Sequence, residues 1–196
     1  MEFQFPQSSS NSINIHPIEF PEGEKTNGLA EFVPLFQKLV SQRLASFIHG
    51  QISSSSTPPK ALVYDSFLPW ALDVAKMFGV HGASFFTQSW SNSSIYYHVN
   101  QGTLKVPLEH NAVVSLPSMP VLGIHDLPSF VSDTGSYPHL LKMVVDRFSN
   151  FQEADSLFCN SFIHLEHEGD ATNHLSFKIS IPIPVKLMAI FKYVNF

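Results

Sequence analysis

The spacing of apolar residues changes several times along this chain, and each change predicts an element. From Phe32 to Ile48 the positions Phe32, Val33, Phe36, Leu39, Val40, Leu44, Phe47 and Ile48 recur at the spacing of one helix face. That helix would carry Pro34 in its first turn, where a missing N–H is harmless, and end at Gly50, with 53–59 as linker. Next comes the unbroken apolar run 61–64, a strand by length and flanks, and then a helix over 68–78 closed by Gly79. A second strand over 83–86 leads into a helix that begins near Thr87 or Ser89 and stops before Gly102. Residues 103–136 are punctuated by Pro107, Pro117, Pro120 and Pro128 and read as loop. A third helix over 138–153 would bury Leu141, Val144, Val145, Phe148 and Phe151, and 156–160 would form a last strand. Strand alternating with helix implies βαβ crossovers, hence an α/β fold with a parallel sheet.

The two ends differ from this middle. Residues 1–11 are polar and Ser-rich, a disordered lead-in; 12–16 alternate as a short strand, and 21–24 are loop. After Glu168 the stretch 178–185 alternates, but Pro182 and Pro184 bar it from a central strand. The final residues 187–196 are apolar without an evident partner. The expected division is therefore 1–11 lead-in, 12–168 domain and 169–196 divergent tail.

Composition narrows the function classes. Charged residues make up 14% of the chain, against about 25% in an ordinary soluble domain, and phenylalanine alone supplies 18 residues. So aromatic a surface expects to be covered by another. The net charge of −5 and the absence of any Lys/Arg cluster argue against a nucleic-acid partner. No stretch of the sequence is apolar enough for a membrane span, and no signal peptide is evident. The single cysteine, Cys159, allows no internal disulfide and fits a reducing, cytoplasmic setting. The Asn92-Ser93-Ser94 sequon carries no meaning there.

The most informative segment is 61–75. An apolar strand ends on the carboxylate of Asp65 and turns through Ser66-Phe67-Leu68-Pro69 into an amphipathic helix. A carboxylate at the C-terminal end of a strand sits where α/β sheets bind ligands. Downstream lie Gly82-Ala83-Ser84-Phe85-Phe86-Thr87-Gln88-Ser89 and Asp126-Leu127-Pro128-Ser129-Phe130-Val131. In this order the three segments resemble the acceptor-binding half of a plant UDP-sugar-dependent glycosyltransferase, over about residues 12–168. The resemblance implies a Rossmann-like parallel sheet, the incomplete N-terminal domain of a GT-B glycosyltransferase. It implies inverting transfer of glucose from UDP-glucose to a hydroxyl or carboxyl of a small metabolite of flavonoid or phenolic type. No cofactor is implied beyond UDP-glucose as co-substrate.

In that family a His deprotonates the acceptor and an Asp orients the imidazole. The resemblance gives Asp65 the orienting role; read from its own context, Asp65 is equally a carboxylate that stabilises the turn into the helix. The base His, in a Gly-His turn after the first strand, has no counterpart here; His16 stands before Pro17 and reads as a surface or packing residue. The family's donor box has none either, so transfer by this chain alone is expected to fail. What remains is an acceptor pocket, with Phe67, Leu127, Phe130, Met143 and Phe148 as apolar lining and Thr87 and Gln88 near the donor sugar. UDP-sugar would then bind only if a C-terminal domain were supplied. The alternatives are a non-catalytic small-molecule-binding module, or a fragment that pairs with a full-length relative through a sheet edge left open beside the strand ending at Asp65.

Other chemistries lack their residues. His164-Leu165-Glu166-His167-Glu168 with His174 does not give the spacing of a helical zinc site, and no metal is expected. No Gly-x-Ser-x-Gly elbow and no phosphate-cradling glycine loop occurs.

Overall fold

The computed structural model describes residues 16–18, 26–117 and 119–160, together with the backbone of 187–190. Expectations for the lead-in, most of 12–16, the 21–24 loop, the His164–His174 group and the 178–185 run fall outside the described residues.

Strand β1 (Ala61–Asp65) is buried at every position after Ala61, as a central parallel strand covered on both faces must be. It feeds helix α2 (Trp70–Met77), and the chain returns as β2 (His81–Phe86), parallel to β1 with Ala61 opposite His81. The return is set at Gly79, whose φ of 65° suits a residue without a Cβ. The Gly79 N–H donates to the Lys76 carbonyl at 3.1 Å and the Val80 N–H to that of Ala75 at 3.0 Å, the paired bonds of a Schellman ending. At Gly82 a Cβ would stand 2.3 Å from Leu72 Cδ1, so any larger residue there would force the buried Leu72 side chain to shift.

Helix α3 (Trp90–Asn100) starts at Ser89, whose hydroxyl accepts from the Asn92 N–H, and stops before Gly102 at φ 70°. The 103–136 stretch is less featureless than its prolines suggest. It holds an antiparallel pair, β3 (Val113–Val114) and β4 (Leu122–Gly123), a 3-10 turn at Ile124–Asp126 and the single-turn helix α4 (Ser129–Ser132). Helix α5 (Pro138–Asp146) precedes β5 (Ser156–Cys159), which pairs parallel with β2.

Two helix boundaries depart from expectation. The first helix, α1, spans Leu29–Ser54, so Pro34 lies in its second turn and Gly50 does not end it. Mid-helix glycine costs only about 1 kcal/mol relative to alanine. That cost is offset by burial of Val40, Leu44 and Ile48 on one stripe and by the Ser54 hydroxyl donating to the Gly50 carbonyl at 2.7 Å. The third helix is split. It ends at Asp146 and resumes as a 3-10 turn at Phe151–Glu153, because Asn150 leaves helical geometry and its Nδ2 donates to the Pro69 carbonyl at 2.9 Å.

A larger correction concerns the sheet edge. The strand order is β5-β2-β1-β6, where β6 is Leu187–Ile190, parallel to β1 with Ala61 opposite Leu187 and Tyr64 opposite Ile190. The tail segment that reads as apolar without a partner has one, and the β1 edge expected to stand open is covered. Backbone N–H and C=O groups of a buried strand are costly to leave unpaired, and this four-residue run satisfies them. Among the described residues no helix is long and apolar enough to cross a membrane.

Two clusters form the core. One joins Leu44 and Ile48 of α1 to Leu62, Tyr64, Leu72 and Ala75; burial pushes the Tyr64 hydroxyl up to about 12. The other gathers Phe86, Tyr96, Leu127, Val131, Val144, Phe148 and Phe151. Inside this second cluster is a cation. Arg147 is 1% exposed, and its guanidinium carbon lies 5.4 Å from the ring centre of Phe67, 5.5 Å from Phe86, 5.2 Å from Tyr96 and 5.0 Å from Phe148. Desolvated cation–π contacts are worth up to about 2 kcal/mol each, which is how this core tolerates a guanidinium.

Two outcomes follow from these contacts. Successive N–H groups of a strand point to opposite sides, so Met188→Pro with Ala189→Pro removes a ladder donor to β1 whichever residue supplies it. The double variant is expected to self-associate in sedimentation velocity while the parent chain does not; identical behaviour would contradict the β6 pairing. Arg147→Lys removes the planar cation from the rings and should lower unfolding stability by roughly 1–3 kcal/mol in urea titration. An unchanged midpoint would show that the rings do not hold the guanidinium.

Candidate functional site

The C-terminal end of β1 is fixed by its own side chain. Asp65 Oδ1 accepts the Phe67 N–H at 3.0 Å, and the Asp65 carbonyl accepts the Leu68 N–H at 2.8 Å. These two bonds form an Asx turn that bends the chain toward α2. The Ser66 N–H continues the ladder to the Phe85 carbonyl at 2.9 Å, which holds the turn against the end of β2. Asp65 is 7% exposed, and the Ser66 hydroxyl beneath it is fully buried without a hydrogen-bond partner. The carboxylate does stabilise the turn, but it does not cap α2, whose N-cap is Pro69.

Arg147 reaches the same strand ends from the end of α5. Its Nη1 donates to Gln88 Oε1 at 3.0 Å and its Nη2 to the Ser93 hydroxyl at 3.4 Å, while Nε has no acceptor. Burial lowers the guanidinium to about 10, against the opposing pull of Tyr96, Asp65 and Cys159, so it stays charged at neutral pH. Burial likewise raises the Tyr96 hydroxyl, and the charge of Arg147 opposes that rise. Arg147 thus holds Gln88, two residues past the end of β2, to Ser93 of α3. Thr87 beside them accepts from Asn160 Nδ2 through its carbonyl at 3.0 Å, which fixes the β2 end against the end of β5.

Two residues after Asp65 the wall of a cleft begins. This cleft has a volume of about 400 Å³ and lies between the start of α1, the β1–α2 turn and α5. Val33 and Phe36 line it from α1, Phe67, Leu68, Pro69 and Trp70 from the turn, and Met143 from α5. Its polar groups are Gln37, Asp73, Asp146, Ser149 and Asn150. A shape of this size with apolar walls and a few polar groups suits a small aromatic ligand. Among the described residues no group of His, Cys, Asp and Glu is placed to hold a metal ion.

The residues singled out in the sequence fall into three places. Phe67 and Met143 line the cleft; Asp65 ends β1 two residues before Phe67 and does not itself line it. Thr87 and Gln88 lie at the end of β2, on the Arg147 side. Leu127 and Phe148 are core residues at 6% and 4% exposure, and Phe130 packs against Tyr137 with ring centres 6.2 Å apart; none of the three lines the cleft. His16 is exposed and its ring lies 4.6 Å from that of Phe47. Sequence reasoning missed Arg147, Asp73, Asp146, Asn150 and the α1 wall. Trp70 after Pro69 was the available signal, since an aromatic at the first turn of a helix beside a strand-end carboxylate is well placed to face a ligand.

No family model matches the chain. Among curated proteins it is similar to UDP-glycosyltransferase 74E1 of Arabidopsis thaliana, 41% identical over 168 residues, 83% of this chain and 37% of that one. It is also similar to the flavonol 7-O-beta-glucosyltransferase UGT74F1 of the same plant, 39% identical over 141 residues, 70% of this chain and 29% of that one. Among solved structures it is similar in fold to Os79 of O. sativa in complex with UDP and deoxynivalenol-3-glucoside. There the TM-score is 0.66 at 24% identity, covering 82% of this chain and 36% of that one. The chain spans about a third of the length of the curated relatives it matches. Aligned at about 40% identity over most of its length, the chain is a homologue of plant UDP-glycosyltransferases, and its fold matches a part of the GT-B structure.

Proposed function

We propose that this chain is the acceptor-binding portion of a UDP-glucose-dependent glucosyltransferase, residues 12–168 forming a partial N-terminal domain whose sheet takes one strand, Leu187–Ile190, from the divergent segment 169–196. The observation that carries the reading is the β1–α2 turn, which Asp65 holds by accepting the Phe67 N–H and whose residues Phe67 to Trp70 wall a cleft together with Phe36. In the family reaction a histidine takes the acceptor proton, Asp65 orients and stabilises the imidazolium, and the oxygen attacks the anomeric carbon with inversion, expelling UDP. Asp65 can fill that role because its turn leaves the carboxylate on a rigid strand end. Phe67 and Met143 would contact the acceptor, with Leu127, Phe130 and Phe148 supporting from the core. Thr87 and Gln88 would lie toward the donor sugar.

The Gly-His turn and the donor box of the family do not occur in these residues, so binding without transfer is the proposed activity of the chain as it stands. The cleft favours this small-molecule-binding reading, and the covered β1 edge disfavours pairing with a relative there. The flavonol-directed relative supports a flavonoid or other phenolic acceptor. The lone cysteine supports a cytoplasmic setting.

Trp70 reports on the cleft directly. Titration with a flavonol such as quercetin should quench its fluorescence saturably, the signal should vanish in Trp70→Phe, and Phe67→Ala should weaken binding about tenfold. Labelled UDP-glucose should yield no glucoside. Folded protein without saturable quenching would overturn the acceptor-site reading. Turnover abolished by Asp65→Ala would instead show that a histidine of this chain serves as the base.

A further inference from the structure

We infer that the cleft selects a neutral, hydrogen-bond-donating aromatic over an aromatic carboxylate, with Asp73 and Asp146 as the residues that set this specificity. The inference rests on the acceptor-site reading and settles a choice the family leaves open, since its members' reaction takes either a hydroxyl or a carboxyl.

The polar lining is one-sided. Asp73 and Asp146 bring two carboxylates to the cleft, and no Lys, Arg or His lines it. Asn150 lines the cleft as well, but its Nδ2 is committed to the Pro69 carbonyl and its Oδ1 is buried away from the surface, so it adds no cation and no accessible acceptor. Gln37 and Ser149 can donate or accept as needed.

Nearby positive charge does not reverse the balance. Lys142 is an ion-pair partner of Asp146, one turn away on α5, and does not itself line the cleft. Arg147 is sequestered behind Phe67 and Phe148 and is committed to Gln88 and Ser93. The N-terminal turn of α2 carries partial positive charge, but Asp73 already sits in that turn. A ligand carboxylate would therefore enter without a lining cation to meet it, against the repulsion of Asp73 and of an Asp146 already paired with Lys142. A ligand with phenolic or alcoholic O–H groups finds acceptors at Asp73 and Asp146, and flat apolar walls at Phe36, Phe67 and Trp70.

Coniferyl alcohol and ferulate share a skeleton and differ in carrying CH₂OH or a carboxylate at the same end, so they isolate the charge. By isothermal titration calorimetry at pH 7 and low salt, the alcohol should bind about tenfold more tightly. The gap should shrink as salt is raised to 0.5 M, a response that shape alone would not produce. Asp73→Asn with Asp146→Asn should tighten ferulate binding about tenfold. Equal or tighter binding of ferulate by the parent chain, or no gain for ferulate in the double variant, would overturn the selectivity and leave the acceptor site standing. Binding of neither ligand by folded protein would overturn the acceptor site itself, and the selectivity with it.

Discussion

A guanidinium taken out of water costs several kcal/mol unless the protein replaces its hydration, and this fold places one at the junction of β1, β2, α3 and α5. Arg147 meets that cost with the faces of Phe67, Phe86, Tyr96 and Phe148 and with two hydrogen bonds to neutral groups. The consequence reaches beyond packing. Phe67 belongs to the turn that Asp65 shapes, Phe86 ends β2, Tyr96 and Ser93 lie on α3, and Phe148 follows α5. One cation therefore sets the distance between the strand ends and the helices around them. The cleft inherits that geometry, since Phe67 is shared between the Arg147 cage and the cleft wall.

The site divides into a rigid end and a selective one. At the strand ends, Asp65 is positioned by its own turn and Gln88 by Arg147, so little rearrangement is available to them. Along the cleft, the walls come from three separate elements, and the polar residues Asp73 and Asp146 sit on exposed helical turns. The covered β1 edge adds a structural constraint: β6 completes the sheet next to the strand that carries Asp65, so the site does not depend on a second chain for backbone pairing.

What the sequence made legible were the features written in local pattern. Strands β1, β2 and β5 are short apolar runs between turn residues, and the Schellman ending at Gly79 and the Ser89 cap are chemical signatures read directly from residue type. Asp65 was legible because strand, carboxylate and turn are contiguous. The misses share a cause, dependence on partners far along the chain. Whether Gly50 ends α1 depends on what Ile48 buries, and whether α5 continues past Asp146 depends on Pro69 accepting from Asn150. The apolar run 187–190 fits a strand or a helix equally by periodicity, and only the vacant β1 edge decides it. Arg147 gives no signal in an apolar pattern at all, because a charged residue near a helix end reads as solvated until four rings are found around it. Leu127 and Phe148 show the converse: an apolar residue in a matching segment cannot be sorted into core or lining before the packing is known.

The account stands or falls on whether a small aromatic binds in the cleft that begins at Phe67. The most direct measurement is a methyl NMR titration of methionine-labelled protein with quercetin, because Met143 lines the cleft while Met77 lies 74% exposed at the far end of α2. The account predicts a saturable shift of the Met143 methyl with Met77 unmoved. A saturable shift at Met77 without one at Met143, or no shift at Met143 in folded protein, would contradict it.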